Sequence, residues 1–285
     1  MAAPTPEAVD EATLKSLADY AYQIRRHALH MVARADSSHI GGALSMADIL
    51  AVLYGAVLKV RPQEPLWPDR DRFVLSKGHC CSALYAALAL KGFIPVSELD
   101  GYGQSGSRLM CHASHEVPGV EWSTGSLGHG LGLATGQALV GKRLHKPWRA
   151  VAVLSDGELD EGSNWEAILF AGHHKLDNLT VAVDANRIQS LGHTKDIIDL
   201  GSIAAKFRSC GWEAVEVDGH DVGALLRAFR SMKAHQPHVV VAHTIKGKGV
   251  SYMEDKLEWH YRAPKTEELL SLALQQLASH YGRTA

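Results

Sequence analysis

Apolar positions along the chain follow two rhythms that alternate. Near the start, Leu14, Leu17, Tyr20, Ile24, His27, Ala28 and Met31 recur at three- and four-residue spacing, which predicts an amphipathic helix, while the stretch before Leu14 is polar and rich in Pro and Ala. Further on, short β-branched runs stand between helix-like stretches: Phe73 to Leu75, Ala150 to Leu154, Leu179 to Val183, Ala214 to Val217 and Val239 to Ala242. Unbroken apolar runs of this kind predict strands covered on both faces, as in parallel sheets. Residues 162–175 and 201–210 lie between such runs and carry apolar residues at helical spacing. Strand, helix, strand repeats predict an α/β fold: a parallel sheet with helices on both faces. No internal repeat or low-complexity linker divides the chain, so the expected organisation is a polar arm over residues 1–14 and one domain over residues 15–285, ending in a helix at 266–281 behind Pro264.

Charge and composition narrow the function classes. With 29 Lys+Arg against 31 Asp+Glu in 285 residues, the formal charge of −2 disfavours a polybasic nucleic-acid binder or a membrane-surface protein. At 46% hydrophobic and 21% charged residues the chain has the make-up of a folded globular protein, which excludes disorder and collagen-like structure. Cys80, Cys81, Cys111 and Cys210 form no CxxC pair, and the start has no basic segment followed by an apolar one, so a reducing cytoplasm is the expected compartment.

Ligands of open parallel sheets bind beyond the carboxyl ends of the strands, which makes the residues after each apolar run the candidates for chemistry. The run ending at Leu154 continues Ser155-Asp156-Gly157-Glu158, and the run ending at Val183 continues Asp184-Ala185-Asn186-Arg187-Ile188. Asp156 and Asn186 are 30 residues apart, the length of one βαβ repeat, so a carboxylate and an amide oxygen can face one point from neighbouring strands. A few hard oxygen ligands, completed by water and phosphate, are what Mg²⁺ uses when it carries a diphosphate. Gly157 allows close backbone approach to a phosphate, and the helix expected from Gly162 brings positive dipole nearby. Taken singly, each segment also suits an ordinary strand-to-helix turn.

The wider sequence around the pair gives it meaning. Asp156-Gly-Glu-Leu-Asp-Glu-Gly-Ser-Asn-Trp-Glu-Ala, followed by Asp184-Ala185-Asn186-Arg187-Ile188, resembles the thiamine-diphosphate motif of transketolases. The resemblance extends to Ser38-His39-Ile40-Gly41-Gly42, Leu75-Ser76-Lys77-Gly78-His79, Ser123-Thr124-Gly125-Ser126-Leu127-Gly128 and Thr244-Ile245-Lys246-Gly247-Lys248-Gly249, and runs from about residue 15 to 265. Full-length members carry a pyrimidine-binding and a C-terminal domain after such a segment, so the sequence is similar to the N-terminal subunit of a split transketolase, a heterotetramer of the α₂β₂ kind completed by a separate C-terminal subunit.

The resemblance implies thiamine diphosphate and Mg²⁺ as cofactors and ketol transfer between sugar phosphates as the reaction, with a pentose phosphate as the default substrate. Asp156, Asn186 and the carbonyl of Ile188 would hold the metal; Gly157, His79, Lys77 and Lys246 would meet the diphosphate, and Gly125 and Leu127 the thiamine rings. His39, His112 and His260 match positions lining the substrate channel, where imidazoles bond sugar hydroxyls and move protons. Glu161 and Glu166 match acidic positions at the subunit contact, or are solvated charges at a helix start. The sequence departs from the family pattern at Ser155, Ile40, His129 and Cys111-His112-Ala113. Rival readings are a zinc site from His79-Cys80-Cys81 with Cys111-His112, a two-oxo-acid dehydrogenase alpha chain or deoxyxylulose-phosphate synthase, and a non-catalytic regulatory homologue. The block Lys77-Gly78-His79 favours transketolase, and retention of Asp156, Gly157, Asn186 and His79 favours an enzyme.

Overall fold

In the computed structural model, which describes residues 9–284, the chain begins with a long helix α1 (Glu11–Ala35), followed by α2 (Ile40–Ser45) and α3 (Ala47–Val52). Strand β1 (Arg72–Leu75) leads to α4 (Cys81–Lys91), and α5 (Gly130–Arg143) precedes β2 (Ala150–Ser155). Then come α6 (Gly162–His173), β3 (Leu179–Ala185), α7 (Thr194–Ile197), α8 (Ile203–Ser209), β4 (Glu213–Asp218), α9 (Val222–Arg230), β5 (His238–His243) and α10 (Glu267–His280). Residues 1–8 of the expected polar arm lie outside the described residues. The rest of that arm is shorter than expected, because Asp10 accepts from the Thr13 amide at 2.8 Å and so caps the helix four residues earlier.

All five strands pair in parallel, in the order β1-β2-β3-β5-β4. Alternate strand residues feed two separate cores, as the two-residue period of a pleated strand requires. Val151, Val153, Ala182 and Val240 join α1, α3, α4 and α9 on one face. Ala152, Leu154, Val181, Val183 and Val241 join α5, α6 and α8 on the other. The helices thus cover both faces, as the apolar runs predict.

Two strands differ from expectation. Strand β3 runs on through Asp184 and Ala185, residues expected to begin the turn, and all seven of its residues are buried. Strand β4, expected to be buried, alternates instead, with Glu216 exposed, because it lies at the sheet edge with β5 as its one neighbour. The chain passes from β3 to that edge and returns to place β5 between them, so the ends of β1, β2, β3 and β5 open on one shared crevice.

Candidate functional site

Lys77 follows β1, Asp156 follows β2, Asn186 follows β3 and Lys246 follows β5, and all four line a cavity of about 210 Å³ with His39, His79, Gly125, Leu127, Gly157, Ile188 and His260. Register explains the convergence: Ser155 on β2 stands level with Asp184 on β3, so the two following turns lie side by side. Asp156 accepts from the amides of Gly157 at 2.9 Å and Arg187 at 2.5 Å, which stitches the turns together. Asn186 places its side-chain oxygen 3.2 Å from the Ile188 amide, and the Ile188 carbonyl accepts from Lys246 Nζ at 2.9 Å.

Below this floor lies a carboxylate that the motif reading left without a role. Asp184 is 0% exposed and accepts from Ser45 Oγ at 2.6 Å, from Asn186 Nδ2 at 3.1 Å, and from Lys77 and Thr244. Burial works against both charges of the pair; the Lys77 ammonium nevertheless holds Asp184 below the usual carboxylate range, and Asp184 keeps Lys77 protonated. Lys77, expected at the diphosphate, is therefore tied by its ammonium to Asp184, although its side chain lines the cavity. Glu158, also 0% exposed, was likewise missed: it accepts from Ser76 Oγ, from the Gly128 amide at 3.0 Å and from the Ser155 amide at 3.3 Å, clamping the loop that carries Gly125 and Leu127. The only sequence signal for either residue is its place inside an otherwise apolar or turn-forming motif.

The histidines gather on the cavity's other wall. The ring of His39 lies 4.8 Å from that of His79, 5.1 Å from that of His260 and 6.2 Å from that of His112. His39 takes a left-handed backbone at φ 71°, strained for a residue with a side chain, and its amide donates to the His260 carbonyl at 2.9 Å. Its ring Nδ1 is buried without a hydrogen-bond partner among the described residues. Burial, then the neighbouring imidazoles and lysines, push His39 down to about 4 and His260 to about 3, and hold His79 well below its usual value. All three are neutral near pH 7 and can accept as well as donate. The ring of His112 packs on Gly125, where an added Cβ would come within 2.7 Å of it. His112 and Gly125 also line a second, larger cavity of about 940 Å³ with Cys111, Ser123 and His129.

The donor set fits a divalent cation with a diphosphate. Asp156 and Asn186 supply hard side-chain oxygens and Ile188 a carbonyl, and burial first, with the Asp184 charge second, raises Asp156 to about 6. That carboxylate lacks a full countercharge, which a divalent ion would supply. Gly157 is the close-approach position: a Cβ there would meet Gln189 Cβ at 2.8 Å. Lys246, lowered to about 8 by burial and by Lys77, stands beside this set and shares a 2.8 Å hydrogen bond with His260 Nδ1. Of the departures from the family pattern, Ser155 closes β2 without a positive φ and so needs no glycine.

Glu161 and Glu166, expected at a subunit contact or as solvated charges at a helix start, are exposed at the head of α6, where the short helical turn 157–160 carries the chain away from the cavity. The zinc alternative finds no grouping: Cys80 faces Gly42, Cys81 donates to the Met110 carbonyl at 3.3 Å, and no set of three or more His, Cys, Asp or Glu suited to a metal occurs among the described residues.

The chain is similar to known proteins along most of its length. The chain is 41% identical over 246 residues to an apulose-4-phosphate transketolase subunit of Phocaeicola vulgatus, covering 86% of this chain and 88% of that one. It is 40% identical to the 6-deoxy-6-sulfo-D-fructose transketolase subunit SqwG of Clostridium sp., covering 89% and 93%. Human transketolase is 39% identical, with 95% of this chain matched but 43% of that protein. The crystal structure of transketolase from Campylobacter jejuni superposes with a TM-score of 0.87 at 31% identity, covering 97% of this chain and 44% of that one. The family model for the transketolase thiamine diphosphate binding domain matches residues 17–280, and the chain belongs to that family.

Proposed function

We propose that the chain is the N-terminal, diphosphate-binding subunit of a thiamine-diphosphate- and Mg²⁺-dependent transketolase that works with a separate C-terminal subunit in the cytoplasm. The observation that carries this reading is the convergence of Asp156, Asn186 and the Ile188 carbonyl with Lys246, beside a cluster of neutral histidines, in one 210 Å³ cavity. Relatives named as subunits match along nearly their whole length, which supports a split architecture.

When bound, thiamine diphosphate supplies the carbon nucleophile and electron sink that break a carbon–carbon bond of a ketose. Asp156, Asn186 and Ile188 hold the metal, and Gly157, His79 and Lys246 receive the diphosphate. Lys77 acts one step back, by fixing Asp184 under Asn186. Gly125 and Leu127 present backbone to the rings, on a loop that Glu158 anchors. His39, His112 and His260, close together at the cavity mouth, hydrogen-bond a sugar's hydroxyls and pass protons as its carbonyl is made and broken.

The second subunit covers the 940 Å³ cavity and part of the exposed apolar surface, which includes Trp122 at 44%, Leu169 at 59% and Phe170 at 42% exposure. Glu161, which precedes α6, and Glu166, one turn from Leu169 and Phe170 on it, belong to that contact surface, in an α₂β₂ assembly. The donor is a ketose phosphate or a close analogue; a pentose phosphate is the first to test.

The experiment is reconstitution. The purified chain alone should be almost inactive with xylulose 5-phosphate and an aldose acceptor, and an added C-terminal half should restore ketol transfer. Full activity of the chain alone would end the split-subunit reading, and a mixture that only decarboxylates pyruvate would favour the two-oxo-acid alternative.

A further inference from the structure

A second buried polar network lies behind the site, at the far side of the turn that carries Lys246. Its centre is His220, which follows edge strand β4. The backbone there is tightly held: the His220 amide donates to Asp218 Oδ1 at 2.8 Å, and the Gly219 amide to the His243 carbonyl at 2.8 Å. The ring is held on both sides. Nδ1 lies 2.8 Å from Asp48 Oδ2, and Nε2 accepts from the Ile245 amide at 2.9 Å. An acceptor nitrogen carries no proton, so the hydrogen-bond network assigns the ring proton to Nδ1, donated to Asp48.

Asp48 is itself fixed. Arg25, 1% exposed, donates to it through two nitrogens at 3.1 and 2.6 Å and to the Leu44 carbonyl at 3.0 Å. Burial disfavours the Asp48 charge, but Arg25 outweighs it and holds the carboxylate down at about 2, so it stays an acceptor.

The turn after β5 takes its shape from a few contacts. Thr244 donates to Asp184, the Gly247 amide to the Gly41 carbonyl at 2.9 Å, and the Ile245 amide to His220. Between the last two sits Lys246, whose ammonium enters the cavity.

We propose that His220, held by Asp48 with its proton on Nδ1, is a positioning residue that fixes the Ile245 amide and so aims Lys246 at the diphosphate end of the cavity. The proposal rests on the proposed function for what Lys246 meets, but not for the hydrogen bond itself. The residues that His220 hydrogen-bonds among the described residues, Asp218, Asp48 and Ile245, do not line the cavity, and no motif reading gave it a role.

Three substitutions in the full chain separate positioning from filling space. His220→Gln keeps an amide oxygen at the depth of Nε2, His220→Asn keeps a donor for Asp48 but ends short of Ile245, and His220→Leu keeps neither. Exchange of the Ile245 amide with D₂O should be at least about tenfold faster in the Asn and Leu variants and near native in Gln. Binding of Mg²⁺-pyrophosphate, read by calorimetry, should weaken by about tenfold in Asn and recover in Gln. Combined with Lys246→Met, the Asn substitution should add no further loss, since both act through one side chain.

Native-like Ile245 exchange in the Asn variant, a Gln variant as poor as Asn, or fully additive losses would overturn the proposal. If the native chain itself fails to bind Mg²⁺-pyrophosphate, the proposed function fails, and exchange at Ile245 together with the ¹⁵N shifts of the His220 ring still decide the role of His220. If the Leu variant does not fold, the Asn and Gln pair decides alone.

Discussion

Lys77 and Asp184 form an ion pair at the centre of the sheet's carboxyl edge, with side chains 1% and 0% exposed. They come from β1 and β3, two strands that never touch, and the pair therefore bridges over β2. Around it Ser45, Thr244 and Asn186 donate to the same carboxylate, so one buried charge organises the ends of three strands and of α2. A network this closed fixes the groups above it, Asn186 among them, before any ligand arrives.

Asp184→Asn keeps the shape and removes the charge, leaving the Lys77 ammonium buried without a counterion. Breaking one side of such a pair costs roughly 3–5 kcal/mol. Urea denaturation should show a loss of that order, and Lys77→Met added to Asp184→Asn should restore part of it. A single variant as stable as the native chain would mean the pair does not organise the floor.

Asp156→Ala and Asn186→Ala should each abolish Mg²⁺-dependent binding of thiamine diphosphate to the reconstituted enzyme while circular dichroism stays native. Unchanged affinity in both variants, by calorimetry, would remove these residues from the metal site.

The histidine cluster predicts a direction of pH dependence. His39 is lowered from 6.5 to about 4, so the unfolded chain takes up its proton first as pH falls. Its contribution is fully present above about pH 6.5 and is lost as pH falls toward 4. Stability should therefore drop across that window, and His39→Gln should flatten the drop. An equal slope in the variant would place the proton uptake elsewhere.

Replacing His39, His112 or His260 by Ala in the reconstituted enzyme should lower turnover by about tenfold or more, the range of a positioned acid or base, and shift donor use with it. Thiamine diphosphate affinity should change far less, because these rings face the sugar. Steady-state kinetics beside calorimetry gives both numbers. A loss confined to cofactor affinity would move the histidines from substrate to cofactor.

Much of this molecule is legible in the order of its residues. Five apolar runs specify five strands, the helical spacings between them specify α6 and α8, and Asp156, Gly157 and Asn186 stand in turns where a parallel sheet binds ligands. These features are local: a two- or three-and-a-half-residue period and the residues of a tight turn are set within a dozen positions.

What the sequence could not decide is which distant positions meet. Asp184 reads as the first residue of a turn, and only the sheet order turns it into the buried partner of Lys77, 107 residues away. Strand β4 reads as buried until β5 is seen to slot between it and β3, leaving β4 at the edge and setting His220 against Asp48 and Ile245. Strand order and the path of a turn are settled by burial across the whole domain, where each apolar face must find cover and each buried charge a partner. A local pattern carries no record of who that partner is.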